Sequence, residues 1–385
     1  RVYEDTHLAA WVTGSLRYKF DEDNYFEAAA GELYREGDPK VLIDDEIYLH
    51  YENPWLRATI GRKNRPIVYN GLSASNENIL WSLNARPLPG VQLGTNGIVY
   101  FEEDNLGFGA EASWEEYRLG EDRYMENARL HHKSLYLAYQ SEGGFQVKAG
   151  AQHFAHYGGT DPQGREWQFT QNYWDAVTME HPSQHHLSSY ELYLGQDFND
   201  FRLEFLYNNI AVDRSGRLLS NTPDGRYGIY YETHDRRKFI NSMIYELYTT
   251  HNQSQTSTWG GDDYFNHFRY KSGWAYEGKI LGAPLFTYDI DNQRVINNKF
   301  TAHHIGIGGQ ISDRFVSYPY KLLLTYASNE GAFYNRFPET QNVFYTYLEA
   351  RVFQNFVDLN LILATEHNSS SSPKYGIGVQ VGRQF

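Results

Sequence analysis

The chain has 385 residues and a formal charge of −14, from 48 acidic against 34 basic residues, with no cysteine. That balance argues against nucleic acid as a partner, and the absence of thiols removes disulfide and cysteine chemistry. No run of about 18 apolar residues is available to cross a membrane as a helix. Aromatic residues make up 16% of the chain, led by 33 Tyr beside 33 Gly, a mixture that suits strands. A mean hydropathy of −0.64 resembles a soluble protein. A membrane β-barrel gives a similar value, because only alternate residues face lipid.

Period-two alternation predicts strands over Leu8–Phe20 and Tyr25–Glu36, on either side of the acidic turn Asp21-Glu22-Asp23. In Leu42–Glu52, Ile43, Ile47, Leu49 and Tyr51 share one face, opposite Asp44, Glu46, Tyr48, His50 and Glu52. Trp55–Arg62 sets Leu56, Ala58 and Ile60 against Arg57 and Thr59. Leu80–Leu93 reads as two strands joined by Arg86-Pro87-Leu88-Pro89-Gly90, where the prolines cannot continue a ladder. On this reading Ile79, Trp81 and Leu83 face lipid, while Asn84 and Arg86 point inward. Leu106–Arg118, Phe145–His156 and Phe201–Asp213 repeat the pattern.

Short turns alternate with long connections. The short ones include 103–105, 141–144, 199–200, 235–238, 312–314 and 354–355; the long ones are roughly 119–130, 157–186, 214–225, 251–299, 328–341 and 368–373. Segregated short turns and long loops predict an all-β fold, a transmembrane antiparallel outer-membrane β-barrel of about 18 strands spanning 1–385 as one domain. The last strand carries Tyr375, Ile377, Val379, Val381 and Phe385 on one face. Such an aromatic end resembles the terminal strand of bacterial outer-membrane barrels and predicts that location. Counting back from Phe385 as periplasmic places residues 63–78 on the periplasmic side, where connections should be short. That anomaly predicts that 63–78 folds into the barrel as a constriction, so that loops plug the lumen. Phe268–Tyr276 also reads as a strand, inside a long outer loop.

The run Ser82-Leu83-Asn84-Ala85-Arg86-Pro87-Leu88-Pro89-Gly90-Val91-Gln92-Leu93 resembles the most recognisable segment of the Wzi capsule-assembly family, preceded here by Gly61-Arg62 and the polar loop 63–78. The local likeness covers roughly residues 55–100. It implies an outer-membrane barrel acting as a lectin that attaches capsular polysaccharide to the cell surface. The founding type also carries an N-terminal helical portion. Here the strand pattern begins by Leu8, so that part is not expected to carry over.

Two ligand readings follow. Arg62, Lys63, Arg65 and Arg86 form a basic cluster suited to an acidic glycan, since Arg binds carboxylates in a bidentate fork. Trp167, Tyr173 and Trp174 in one loop, and Trp259 and Tyr264 in another, offer aromatic faces for sugar stacking. The inward set, including Glu111, Glu204, Glu349 and Asp358 with Lys148, Arg202 and Arg351, predicts a lumen filled by opposite charges. Adjacent pairs such as His131-His132 and His185-His186 point to opposite faces and do not chelate together. Asp289-Ile290-Asp291-Asn292-Gln293 begins like a calcium loop but has Arg294 where the Gly belongs, so no metal or cofactor is expected. Gly71-Leu72-Ser73-Ala74-Ser75 lacks the second Gly of a nucleophile elbow, and no enzyme is expected. The expected partners are surface polysaccharide, outer-membrane lipid, and other outer-membrane proteins or lipoproteins. A pore or exporter for a glycan or other solute, and a scaffold subunit of a larger complex, are the competing readings.

Overall fold

The computed structural model describes residues 7–36, 43–167, 173, 184–212, 214–255, 261–312 and 317–383. Its strands are β1 (Ala9–Lys19), β2 (Tyr25–Arg35), β3 (Ile43–Glu52), β4 (Leu56–Arg62), β5 (Gly90–Thr95), β6 (Val99–Tyr100), β7 (Gly107–Arg118), β8 (Arg129–Gln140), β9 (Phe145–Tyr157), β10 (His185–Asp197), β11 (Phe201–Asn209), β12 (Gly225–Thr233) and β13 (Ser242–Thr249). Two small hairpins follow, β14 (Ala275–Tyr276) with β15 (Lys279–Ile280) and β16 (Thr287–Asp289) with β17 (Arg294–Asn297). The wall then resumes with β18 (Phe300–Ser312), β19 (Ser317–Ala332), β20 (Asn335–Gln354), β21 (Asp358–Asn368) and β22 (Lys374–Gly382).

Among the described residues, eighteen of these segments form one sheet, every wall pairing antiparallel. β5 and β6 both lie on β7, as two halves of one interrupted strand, so the eighteen segments fill seventeen positions. Side chains alternate across the wall. Leu16, Leu49, Ile60, Leu137, Ile229 and Ile377 point outward and are 55–84% exposed. Their inward neighbours include Glu191, Arg226 and Glu246, all buried. An apolar exterior around a polar, filled interior is the inverse of a soluble fold and defines a barrel solvated by lipid. Connections 53–55, 141–144, 198–200 and 355–357 gather at one rim, and 63–89, 119–128, 210–224 and 250–299 at the other. Short turns are periplasmic and long loops extracellular in such barrels.

Several expectations change. Leu80–Ala85 is not a wall strand; the wall resumes only at Gly90. Removing that strand shifts the parity upstream of it. The whole of 63–89 becomes one connection entering the lumen from the long-loop rim, and the anomaly of a long periplasmic loop disappears. Residues 328–341 are not a loop, since β19 and β20 continue through them as a tight hairpin. The strand begun at Phe201 stops at Asn209, short of Asp213. The calcium-like run is a turn, with the Asp289 carboxylate accepting from the backbone N–H of Asp291 at 3.0 Å and Asn292 at 3.1 Å. Phe385 lies outside the described residues.

The core sits inside the barrel. Ile79, Leu80, Trp81 and Leu88 of the first insertion meet Tyr264, Phe265, Trp274, Ile280, Leu281 and Phe286 of the second. The wall contributes Tyr117, Leu130, Phe154, Leu187 and Tyr248 to the same cluster. Trp81 stacks on Phe154 at 5.1 Å with a 13° interplanar angle, and Trp274 packs edge-on to both.

Candidate functional site

The lumen is sealed by two insertions that bind each other. Ser82 N–H donates to the Leu281 carbonyl at 2.8 Å and Ala283 N–H to the Ile79 carbonyl at 2.9 Å. The Ser82 hydroxyl donates to the Gly282 carbonyl at 2.6 Å, and the Asn84 amide to the Ile280 carbonyl at 2.9 Å. The Trp274 indole N–H closes on the Leu80 carbonyl at 2.6 Å. The alternation of 79–85 is therefore that of an extended segment, but its hydrogen-bonding partner is 280–283 rather than the wall. Ile79, Trp81 and Leu83 do not share a lipid face: Ile79 and Trp81 lie in the core, while Leu83 is 40% exposed at the edge of the plug.

A buried ion pair clamps the first insertion to β12 and β13. Arg226 and Glu246 have fully buried side chains, and Arg226 Nε donates to Glu246 Oε1 at 2.8 Å. Arg226 Nη1 also donates to the Glu77 carbonyl at 2.6 Å. Glu246 accepts from the Ser73 hydroxyl at 2.7 Å and from Ala74 N–H at 2.8 Å. Each charge thus satisfies plug backbone as well as its partner, which is what makes a buried pair tolerable. On β18, His304 Nε2 donates to the Leu72 carbonyl at 2.7 Å, and Nδ1 shares a hydrogen bond with Thr325 Oγ1 at 2.7 Å. Gly306 permits this approach, because a Cβ there would lie 2.4 Å from the Leu72 carbonyl oxygen. The tip of the insertion, Tyr69-Asn70-Gly71, has φ of 51°, 54° and 70°. Bonds from Tyr69 OH to Glu204 at 2.9 Å and from Asn70 Nδ2 to Tyr230 OH at 2.9 Å hold it there.

Below this tip, towards the short-turn rim, two polar cavities of about 290 and 400 Å³ remain. Their cations are paired: Lys148 with Glu111 at 3.4 Å, Arg202 with Glu204 at 2.5 Å, and Lys321 with Glu349 at 3.2 Å. The expected charge-balanced lumen is present in this half. The other half is the apolar core.

The sequence-derived residues separate in space. Arg65 donates to Glu115 at 2.9 Å and lies over the Trp81 ring at 4.4 Å, inside the seal. Burial works against its charge, but Glu115 and Tyr117 outweigh that and hold its pKa above the usual range. Arg86 Nε donates to Glu277 at 2.8 Å, tying the two insertions together. Lys63 sits 4.8 Å over the Tyr48 ring, and Arg62 ends β4, half-buried. Arg65 and Arg86 are tied into the plug, while Lys63 lies against the wall and Arg62 is part of it, so the four do not form one open stripe. Tyr264 is fully buried, with its hydroxyl donating to Asp224 at 2.8 Å and accepting from Asn221 at 2.8 Å, so it offers no exposed face. Tyr173 approaches His131 and Tyr157 at ring distances of 6.2 and 5.7 Å. Trp174 and Trp259 lie outside the described residues.

Trp167 is at the long-loop end of the seal, half-buried against the core, with the Arg269 guanidinium 3.7 Å from its ring centroid. Two residues on, Lys271 lies 4.4 Å over the ring of Tyr124. Phe268 is 68% exposed beside them. The sequence pointed to Trp167 but not to Tyr124, Arg269 or Lys271. The signal was the run Phe268-Arg269-Tyr270-Lys271, read as a strand, whose two cations reach aromatic rings from different loops. Next to it, His267 Nδ1 accepts from the backbone N–H of Arg269 and Tyr270, both at 3.2 Å. Burial, with the nearby Arg269 charge, lowers the His267 pKa to about 3. Among the described residues, no group of three metal-ligating side chains converges.

These features define an outer-membrane β-barrel with a lumen closed by its own loops. Among solved structures the fold is similar to that of Wzi, an outer-membrane protein involved in group 1 capsule assembly in Escherichia coli and a carbohydrate-binding β-barrel. The TM-score is 0.65 over 98% of this chain and 84% of that one, at 12% identity. Weaker similarity extends to OmpT, an outer-membrane protein of Vibrio cholerae, with a TM-score of 0.40 over 96% of this chain and 90% of that one, at 8% identity. No protein-family model and no curated protein sequence matches the chain.

Proposed function

We propose that this barrel holds surface polysaccharide at its extracellular end without acting on it chemically. The observation that carries the reading is the paired arrangement of Trp167 with Arg269 and Tyr124 with Lys271 on top of a sealed lumen. A ring stacks on the CH face of a sugar, while the adjacent cation meets a carboxylate or pyruvyl group of an acidic glycan. The likeness to a carbohydrate-binding barrel supports the same class of ligand. A standing pore is disfavoured, because Trp81, Phe154 and Trp274 pack face and edge across the lumen.

Retention of an acidic capsular polysaccharide on immobilised protein, against neutral dextran, tests the reading. Replacing both Trp167 and Arg269 with alanine should weaken retention about tenfold or more, the worth of one stacked ring plus one charge-assisted bond. Arg269→Gln, which keeps the packing of Trp167, should show part of that loss. Unchanged binding in both variants would place the glycan elsewhere or remove it as the ligand.

A further inference from the structure

The 119–128 loop carries a buried cation that neither the seal nor the ring–cation pairs account for. Arg123 is only 7% exposed. Its Nη1 donates to the Ala275 carbonyl at 3.2 Å and its Nη2 to the Gly273 carbonyl at 3.4 Å, while Nε has no acceptor. A guanidinium presents a fork of five donors, so these two bonds leave the greater part of it unused. Among the described residues no carboxylate pairs with it. Glu121 and Asp122, its neighbours in sequence, are exposed, and the acids that act on its charge are the phenols of Tyr288 and Tyr270. Burial lowers its pKa to about 10. The other arginines of the seal differ: Arg226 has Glu246, Arg65 has Glu115 and Arg86 has Glu277.

The position of Arg123 links it to the two rings. Tyr124, the next residue, carries Lys271 over its ring, and the carbonyls that hold the guanidinium lie two and four residues beyond Lys271. Tyr124 N–H donates to Ser272 Oγ at 2.7 Å. Among the described residues these three hydrogen bonds join the 119–128 loop to the second insertion. At the other ring, Trp167 Nε1–H is also buried without an acceptor. Two N–H donors from separate loops, each beside a ring that can stack on sugar, suit a ligand rich in oxygen. A buried charge without its counter-ion is costly, so the oxygen that gains most at Arg123 is that of a carboxylate.

We propose that Arg123 is the specificity-determining residue of this site: its guanidinium takes a carboxylate of the glycan while Trp167 and Tyr124 stack on the sugar rings. The assignment rests on the glycan reading above and adds which polymers are held. Lys271 is exposed and Arg269 half-buried, so they attract any polyanion and are screened by salt. Arg123, beneath the surface, is screened much less. Its Nε is covered, so the carboxylate is received as the 119–128 loop shifts on Ser272.

The test compares retention of a uronate-containing capsular polysaccharide with that of the same polymer after carboxyl reduction, on the immobilised full chain in detergent at about 0.5 M salt. The wild type should hold the acidic form about tenfold more tightly, the worth of one charge-assisted bond. Arg123→Gln should abolish that ratio and leave retention of the reduced form unchanged. Arg123→Lys, which keeps the charge without the fork, should keep part of the ratio, and Arg269→Gln should keep all of it at this salt. Hydrogen exchange over 119–128 and 270–275 should respond to the acidic form and not to the reduced one. Heat-modifiable gel mobility reports that each variant is folded. An unchanged ratio in Arg123→Gln overturns the proposal. An equal loss of both polymers in that variant does so too, since it would make Arg123 a structural tie. Equal retention of both forms by the wild type overturns the assignment and leaves the glycan reading standing, whereas retention of neither removes the glycan reading and the assignment with it.

Discussion

Removing one member of the Arg226–Glu246 pair leaves the other charge fully buried without its counter-ion. Glu246→Ala should therefore loosen the first insertion by about 3–5 kcal/mol, and planar-bilayer recordings should show transient openings where the parent shows none. Trp274→Ala removes the ring that packs on Trp81 and Phe154 and the N–H that holds Leu80. A cost of about 3–5 kcal/mol is expected, read as faster proteolysis of the second insertion in an otherwise assembled barrel. Gly306→Val should act on the first insertion from the wall side, displacing Leu72 without touching any charge. Little of this was legible residue by residue. Leu130, Phe154 and Leu187 sit in the inward phase of their strands, and an inward phase reads as polar. Three apolar residues out of phase near the extracellular ends of adjacent strands were the sign of a core inside the barrel.

At the scale of elements, the two insertions differ in what holds them. The first relies on charge and on a strained tip. Two non-glycine residues at positive φ cost roughly 1–2 kcal/mol each, which the bonds to Glu204 and Tyr230 offset. The second relies on packing, and on a histidine that stays neutral. With its pKa at about 3 when docked and an ordinary value of about 6.5 when exposed, His267 binds fewer protons in the docked state. Its contribution is thus complete above pH 6.5 and is lost as pH falls towards 3. At pH 4.5 docking of 261–299 should weaken by on the order of 2 kcal/mol. Fluorescence of the buried tryptophans should report the change, and His267→Phe should flatten the profile. The sequence led to a constriction at 63–78, but by a count that put it on the periplasmic side, and it made 79–85 extended as a wall strand. It could not show the partner of 79–85, because an extended segment alternates in the same way against a wall strand as against 280–283. Proline and glycine at 87–90 end one pairing and begin another, and in sequence that resembles a hairpin turn.

For the whole molecule, the rim pattern was the most legible feature. Turn chemistry is local, so short turns at 141–144 and 198–200 announce themselves, and the wall follows from their spacing. The interior depends on contacts between residues about two hundred positions apart, such as Ser82 with Leu281 and Gly282, and no local rule reaches them. The expected behaviour in a bilayer is a silent barrel. A variant lacking residues 66–87, with Arg65 and Leu88 joined through a short glycine linker, should conduct. Steady ion current through the intact protein would contradict the sealed lumen.

That separation also sets an order of events. The first insertion is made before β5 and the second only after β13, so Trp81 has no Trp274 to meet until some two thirds of the chain has been synthesised. Contacts this far apart in sequence form late. A barrel whose strands have slipped by one pair would bring Arg226 and Glu246 to the wrong height, and the two insertions could not join. The plug therefore depends on register: the first insertion is clamped only where the paired wall holds Arg226 and Glu246 level with Glu77 and Ala74.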